Sequence, residues 1–170
     1  MAQTTGGNGQ QAIPPINPAT AQRLIINAQY IKDFSFENPR APQSLAQQPS
    51  APAVDINVDV NAQNLSPDSY EVVLTIKASA NINGEALFIL ELVYGAVATV
   101  QNMPQEMMPT ILLVETPRLM FPFARNIIAD ATRDGGFPPL MVNPIDFSEL
   151  LRRNAAEAPE DTGAPPLSAG

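Results

Sequence analysis

Two strand-like segments joined by Asn83-Gly84 constrain the fold of this chain more than any other part of its sequence. Tyr70 to Ser79 alternates apolar and polar residues with a period of two, which is typical of a strand with one buried face. A second apolar run extends from Ala86 to about Ala98. Asn-Gly favours the two-residue turn whose twist matches that of paired antiparallel strands. The sequence therefore predicts a β-hairpin in the middle of the chain.

Two earlier segments also predict strands. Val54 to Asn61 alternates without interruption. Between about Ile26 and Glu37 the alternation is interrupted at Ile31 and Lys32. The apolar side of this first strand is expected to carry Ile26, Ala28, Tyr30, Phe34 and Phe36.

The second half of the chain changes to helical spacing. Thr116-Pro117 predicts a helix start and Gly135-Gly136 predicts its end, while Pro122 is expected to kink the helix or displace its start. An extended segment, residues 137–144, and a last short helix, residues 145–156, follow. Strands followed by helices predict an α+β fold, namely a four-stranded antiparallel sheet with helices packed on one face.

Composition divides the chain into one domain and two tails. Residues 1–22 and 157–170 hold few large apolar groups, so we expect a disordered polar head and a disordered acidic tail. Residues 23–156 carry the predicted strands and helices and are expected to form one domain.

Several classes of site are not expected from the composition. The sequence contains no His, Cys or Trp, so we expect no catalysis by Ser–His or Cys–His groups, no metal site and no cofactor. The formal net charge of −8 at pH 7, without a basic patch, argues against nucleic acid and anionic membranes as partners. With neither a secretory signal nor a long apolar stretch, we expect a cytoplasmic protein without membrane insertion.

Six carboxylates fall on the predicted polar side of the sheet. They are Asp33, Glu37, Asp55, Asp59, Glu71 and Glu91. Asp33 and Glu37 are roughly 13 Å apart along one strand, at about 3.3 Å per residue, which is too far for a glycosidase acid pair. Asp55-x-Asn57-x-Asp59 starts like a calcium loop but lacks the glycine that such a loop needs. We therefore expect no enzyme. The acids, with the apolar Ile89, form either a solvated face or a docking surface for a basic partner.

Large apolar residues are dense between residues 137 and 147. They are Phe137, Leu140, Val142, Ile145 and Phe147. Packing of a loop and a short helix onto the core explains part of this density, and an apolar groove explains the rest. Both interpretations stay open on the pattern alone.

Four motifs resemble the SecB family of bacterial export chaperones, in that family's order and spacing. They are YIKDFSFENP from Tyr30, YEVVL from Tyr70, RLMFPFARNII from Arg118 and GFPPLMVNPIDFSEL from Gly136. The resemblance covers about residues 25–151. It implies a SecB-like fold, a homotetramer built as a dimer of dimers, and no catalysed reaction. The implied function is that of a holdase, which binds unfolded precursor proteins in apolar grooves and delivers them to the SecA motor.

The resemblance also implies roles for individual residues. The implied SecA-docking residues are Asp33, Glu37, Ile89 and Glu91. The implied precursor groove contains Val54, Ile56, Phe137, Leu140, Val142 and Phe147. The implied oligomer interface contains Leu90, Leu92 and Tyr94. The implied contact is with the basic, zinc-bearing tail of SecA, and the zinc would be held by SecA and not by this chain. Two alternatives remain: a SecB-like chaperone dedicated to a toxin–antitoxin pair, and a carrier of small molecules.

Overall fold

Four long strands form one antiparallel sheet in the computed structural model, which describes residues 17–48 and 50–157. They are β1 (Arg23–Glu37), β2 (Ala53–Ser66), β3 (Ser69–Ile82) and β4 (Glu85–Gln101). Their order across the sheet is β1-β4-β3-β2, so β1 and β2 are the edge strands. The predicted antiparallel sheet is confirmed. The predicted head is described only from residue 17 and the predicted tail only at residue 157, so both predictions lie almost wholly outside the described residues.

The β3–β4 hairpin turns at the predicted position. Asn83 and Gly84 both have positive φ, at 50° and 79°. A two-residue turn of this type needs positive φ at both central positions, which glycine adopts freely and asparagine adopts more readily than most residues. The local chemistry of these two residues therefore fixes the position of the turn, and one extra residue of β4, Leu87, follows it before regular pairing with β3 continues.

Strand β1 contains two bulges that regular alternation does not predict. Asn27 and Lys32 are each an extra residue without a partner on β4. Because side chains alternate along a strand, each bulge moves the residues that follow it to the opposite face. Ala28 and Tyr30 lie between the bulges and face away from the helices, so their predicted place on the apolar side was wrong. The other three predicted apolar-side residues, Ile26, Phe34 and Phe36, do lie on the helix side.

A long helical segment follows the sheet. It consists of α1 (Met108–Thr110), a π-helical turn (Ile111–Glu115) and α2 (Thr116–Asp134), and a further helix, α3 (Phe147–Glu157), comes after the extended segment. The predicted separate start at Thr116 is not seen. The segment continues because Thr116 donates both its amide and its hydroxyl, the latter at 2.8 Å, to the carbonyl of Ile111. Pro122 lies inside α2 on its exposed side.

The core lies between one face of the sheet and the helices. Its fully buried side chains include Leu74, Ile76, Leu92, Met120, Ile128 and Phe147. The rings of Phe36, Phe88 and Phe137 pack at one end of this layer, with centroids 5.2 to 6.5 Å apart. No described helix covers the other face of the sheet. These two faces are called the helix side and the outer face.

Two features are absent from residues 17–48 and 50–157. No helix there has the length and apolar character needed to cross a membrane. No three or more acidic side chains there lie close enough together to hold a metal ion.

Candidate functional site

The four predicted docking residues lie together on the outer face. Strand pairing places Glu37 opposite Ile89 and Asp33 opposite Val93, with Glu91 between these two β4 positions. Ile89 is 44% exposed, which is unusual for an apolar side chain beside three carboxylates. Asp33, Glu37, Ile89 and Glu91 are called the acidic patch.

Other charged side chains on the outer face modify the patch. Asp55 and Asp59 of β2 share this face, opposite residues 79 and 75 of β3. Lys77 Nζ lies 3.3 Å from Glu91 Oε2 and forms an ion pair that is open to solvent on both sides. The patch holds three carboxylates against this one ammonium group, so its net charge stays negative. A basic protein surface is the partner that this charge and the central apolar side chain would suit.

Glu71, the sixth predicted acid, has a different environment. It is 6% exposed, and its carboxylate accepts hydrogen bonds from Lys32 Nζ at 2.8 and 2.9 Å, from the Tyr30 hydroxyl and from the Gln63 amide. The bond from Lys32, followed by that from Tyr30, holds the pKa of Glu71 below its usual range. The bond to this carboxylate raises the pKa of Tyr30 to about 12. Glu71 is therefore an internal group, and five of the six predicted acids remain accessible.

Four of the predicted groove residues reach the surface. Val54 and Ile56 lie on the helix side of the edge strand β2 and are exposed. Phe137 and Leu140 are half-buried in the extended segment between α2 and α3. These side chains supply apolar contact area along the helix side of the protein.

The other two predicted groove residues belong to the core. Val142 and Phe147 are 2% and 1% exposed. Phe147 is the first residue of α3, and its ring packs against Phe121 of α2 with centroids 6.2 Å apart. Their apolar character serves to attach α3 to the rest of the protein, which corrects their predicted place on a groove surface.

A cleft of about 730 Å³ separates β2 from α3. Its apolar residues include Ile56, Val58, Ile145 and Leu150, and polar residues such as Asp146 and Arg153 also line it. Because β2 is an edge strand, one side of its backbone has no strand partner among the described residues. An extended peptide in this cleft could use both apolar side chains and backbone hydrogen bonds.

Thr132 attaches the extended segment to α2. This fully buried residue donates its hydroxyl to the carbonyl of Ile128 at 2.9 Å and accepts a hydrogen bond from the Leu140 amide at 2.8 Å. The Phe137 amide donates to the carbonyl of Thr132 at 3.0 Å. One threonine therefore fixes both of the half-buried apolar residues in the extended segment.

The predicted interface residues of β4 are not on a surface. Leu90, Leu92 and Tyr94 are buried on the helix side, within the hydrophobic core. A second subunit cannot contact them directly while α2 covers this part of the sheet. The prediction of a direct interface is corrected, and any effect of these residues on assembly would have to act through core packing.

Helix α2 carries an exposed apolar stripe that was not expected from the sequence. Leu119 and Phe123 are 50% and 54% exposed, and they lie four residues apart, on the same side of the helix. Ile31 and Phe34 of the edge strand β1 are exposed as well. The sequence did contain a signal for this surface. Leu119 and Phe123 form a second apolar stripe beside the buried stripe that includes Met120, and a helix with one covered face needs only one apolar stripe.

Comparison with known proteins identifies the relatives of this chain. A family described as "Preprotein translocase subunit SecB" matches residues 17–158. The protein-export protein SecB of Bartonella quintana is 50% identical over 143 residues, which cover 84% of this chain and 90% of that protein. The SecB of a Bradyrhizobium strain is 47% identical over 164 residues, which cover 96% of this chain and 97% of that protein.

A solved structure shares the fold. A SecB-like chaperone of Mycobacterium tuberculosis, in complex with a peptide from an antitoxin, is 14% identical and superposes with a TM-score of 0.60. The superposition covers 72% of this chain and 91% of the mycobacterial one. At this identity the likeness shows a common architecture.

Proposed function

Because this chain belongs to the SecB family and is a chaperone for preprotein export, we propose that it holds precursors on its helix side and delivers them to SecA through the acidic patch. Its relatives over most of the chain are export proteins, which favours this function over service to a toxin–antitoxin pair. We also propose that it acts in the cytoplasm, where precursors are still unfolded.

One observation carries the SecA proposal: three carboxylates and an exposed Ile89 share a small area of the outer face. Solubility requires charge but no exposed isoleucine among the charges. A basic segment of SecA would gain electrostatic steering from the carboxylates and apolar contact from Ile89. The acidic patch does not overlap the apolar residues of the helix side that are proposed for precursor binding.

Precursor binding is proposed on the exposed apolar side chains of the helix side. Val54, Ile56, Phe137 and Leu140 all reach the surface, and Ile56 lines the cleft between β2 and α3. Burial of apolar area stabilises a complex by about 25 cal/mol per Å² whatever the sequence of the precursor. Folded proteins have already buried their apolar side chains and offer little to such a surface.

The proposed homotetramer, a dimer of dimers, has a surface to form on. Leu119 and Phe123 of α2 leave large apolar side chains in solvent in the isolated chain. A second copy of α2 is the occupant that would cover them, because the same stripe on both chains is self-complementary in a twofold arrangement. Substitution of both residues by serine is expected to convert tetramers to smaller species in sedimentation.

Sedimentation with an unfolded precursor tests the holdase activity. We expect a complex between the chain and a permanently unfolded precursor without nucleotide, and none with the folded form of the same precursor. A chain that sediments unchanged with both forms would contradict the holdase proposal.

A charge-neutralising pair of variants tests the docking face. Glu91→Gln is expected to weaken SecA binding, with a loss that shrinks at high salt because the interaction is electrostatic. Glu106→Gln removes the same charge from an exposed position outside the sheet and is the matched control. Equal SecA affinities for these two variants would contradict the proposed docking face.

A further inference from the structure

The position of Asp33 and Glu37 on the outer face depends on a single extra residue in β1. Tyr30 lies on the outer face, opposite Gly95 of β4. In a regular strand every second residue shares that face, so Asp33 and Glu37 would point toward the helices. Lys32 is the extra residue that changes this alternation and brings both acids to the outer face. The patch therefore exists only while this bulge holds its register.

The bulged residue and the segment that precedes it are both attached to one buried carboxylate. Glu71 of β3 accepts hydrogen bonds from the hydroxyl of Tyr30, just before the bulge, and from the ammonium group of Lys32, the bulged residue itself. Neither donor is on a strand adjacent to β3, because β4 lies between β1 and β3. The two side chains reach across a whole strand to the same acceptor.

The intervening strand is shaped to let them pass. Gly95 of β4 has no side chain, and the Tyr30 ring occupies the space above it. A Cβ atom at position 95 would lie 2.6 Å from Cε2 of that ring, which is closer than real contacts allow. The glycine, the tyrosine and the carboxylate thus form one arrangement whose geometry fits the bulged form of β1.

We infer that Glu71 is a positioning residue for SecA docking, which acts through Lys32 to keep the β1 bulge in register and hence Asp33 and Glu37 in the acidic patch. The inference rests on the proposed docking function of that patch. Glu71 itself is buried and has no direct contact to offer a partner. Its role is to decide which face the docking acids occupy.

Two lysine variants separate this role from simple electrostatics. Lys32 and Lys77 are both outer-face cations, each paired with one carboxylate, Glu71 and Glu91 respectively. If only net charge mattered, Lys32→Met and Lys77→Met would both tighten binding of a basic partner. The positioning role predicts opposite changes in SecA affinity for the two variants, because only Lys32 belongs to the bulge. We expect SecA affinity to fall about fivefold or more for Lys32→Met and to rise about two- to fivefold for Lys77→Met.

Hydrogen exchange reports the register itself. In Lys32→Met the amides of residues 31–37 should exchange faster, while those of β2 and β3 keep their protection. Binding of an unfolded precursor, which the helix side provides, should stay within about twofold of the unsubstituted chain. A general loss of stability would instead weaken both activities and speed exchange throughout the sheet.

The outcomes distinguish this inference from the docking proposal beneath it. Tighter or unchanged SecA binding by Lys32→Met, alongside tighter binding by Lys77→Met, overturns the positioning role and leaves the docking face intact. If Glu91→Gln and Lys77→Met both bind SecA normally, the docking face itself fails, and exchange at residues 31–37 alone decides whether Lys32 holds the bulge. Glu71→Gln provides a second variant, expected to act in the same direction as Lys32→Met, and wild-type docking by a folded Glu71→Gln chain also overturns the inference.

Discussion

Replacement of Thr132 by valine is expected to weaken the attachment of the extended segment to α2 at Leu140. Valine has nearly the same shape as threonine but cannot accept the hydrogen bond from the Leu140 amide, which measures 2.8 Å. Leaving a buried donor without a partner costs about 1–3 kcal/mol. Leu140 is half-buried, so we expect the lower part of this range, about 1–2 kcal/mol, in the free energy of unfolding. Urea denaturation at a fixed protomer concentration measures it.

Thr116→Val is the matched control for this experiment. Thr116 is as fully buried as Thr132 and also donates to a carbonyl one turn earlier, but within residues 17–48 and 50–157 no amide from another segment donates to its hydroxyl. The carbonyl of Ile111 keeps its bond from the Thr116 backbone in the variant. We expect a cost of about 0.5 kcal/mol or less, since no buried group loses its last partner. Equal costs for the two variants, or an unchanged exchange rate of the Leu140 amide in Thr132→Val, would refute the role of Thr132.

Three further predictions follow from contacts described above. Gly95→Ala should lower the free energy of unfolding by about 1–3 kcal/mol in urea, because the new Cβ displaces the Tyr30 ring; no loss would mean that the ring moves freely. Phe137→Ala should lower the free energy of unfolding by about 2 kcal/mol, roughly half the value for a fully buried ring, because packing on Phe88 is lost. It should also weaken precursor binding in a binding assay, and unchanged binding would show that Phe137 is not part of the groove. The pKa of Tyr30 is raised to about 12 by its hydrogen bond to Glu71. The stability that this phenol contributes is therefore complete below pH 10 and is lost as the pH rises toward 12. Ultraviolet titration of the phenolates should show a late-titrating tyrosine that is absent in Tyr30→Phe, and an unchanged titration in that variant would contradict this.

Much of the sheet could be predicted because its signals are local. The Asn83-Gly84 turn fixes the central hairpin, and the alternation in β2 and β3 identifies the helix side without knowledge of the partners. The shared face of Glu37 and Glu91 also followed, because after the Lys32 bulge Glu37 alternates with the apolar Phe34 and Phe36, as Glu91 does with Leu90 and Leu92. Alternation of this kind depends only on backbone geometry.

The remaining features depend on contacts between distant segments. Nothing near Ala28 in the sequence shows that a bulge precedes it, because a bulge is defined only by the pairing with β4. Glu71 looks like any polar-side carboxylate until strands from both sides bring donors to it. Val142 and Phe147 illustrate the same limit for apolar residues, since sequence alone cannot separate a groove wall from the packing that attaches a helix.

The strand order also governs when the acidic patch can appear during synthesis. β2, β3 and β4 follow one another as neighbours and can pair as soon as each is made, whereas β1 leaves the ribosome first and must wait for β4. Glu37 pairs with Ile89 more than fifty residues later, and closing so long a loop is slow compared with pairing of adjacent strands. Two members of the patch come from β1 and two from β4, so it is completed only in this last pairing. On the proposed docking function, a newly made chain would thus become able to bind SecA only after β1 has paired with β4.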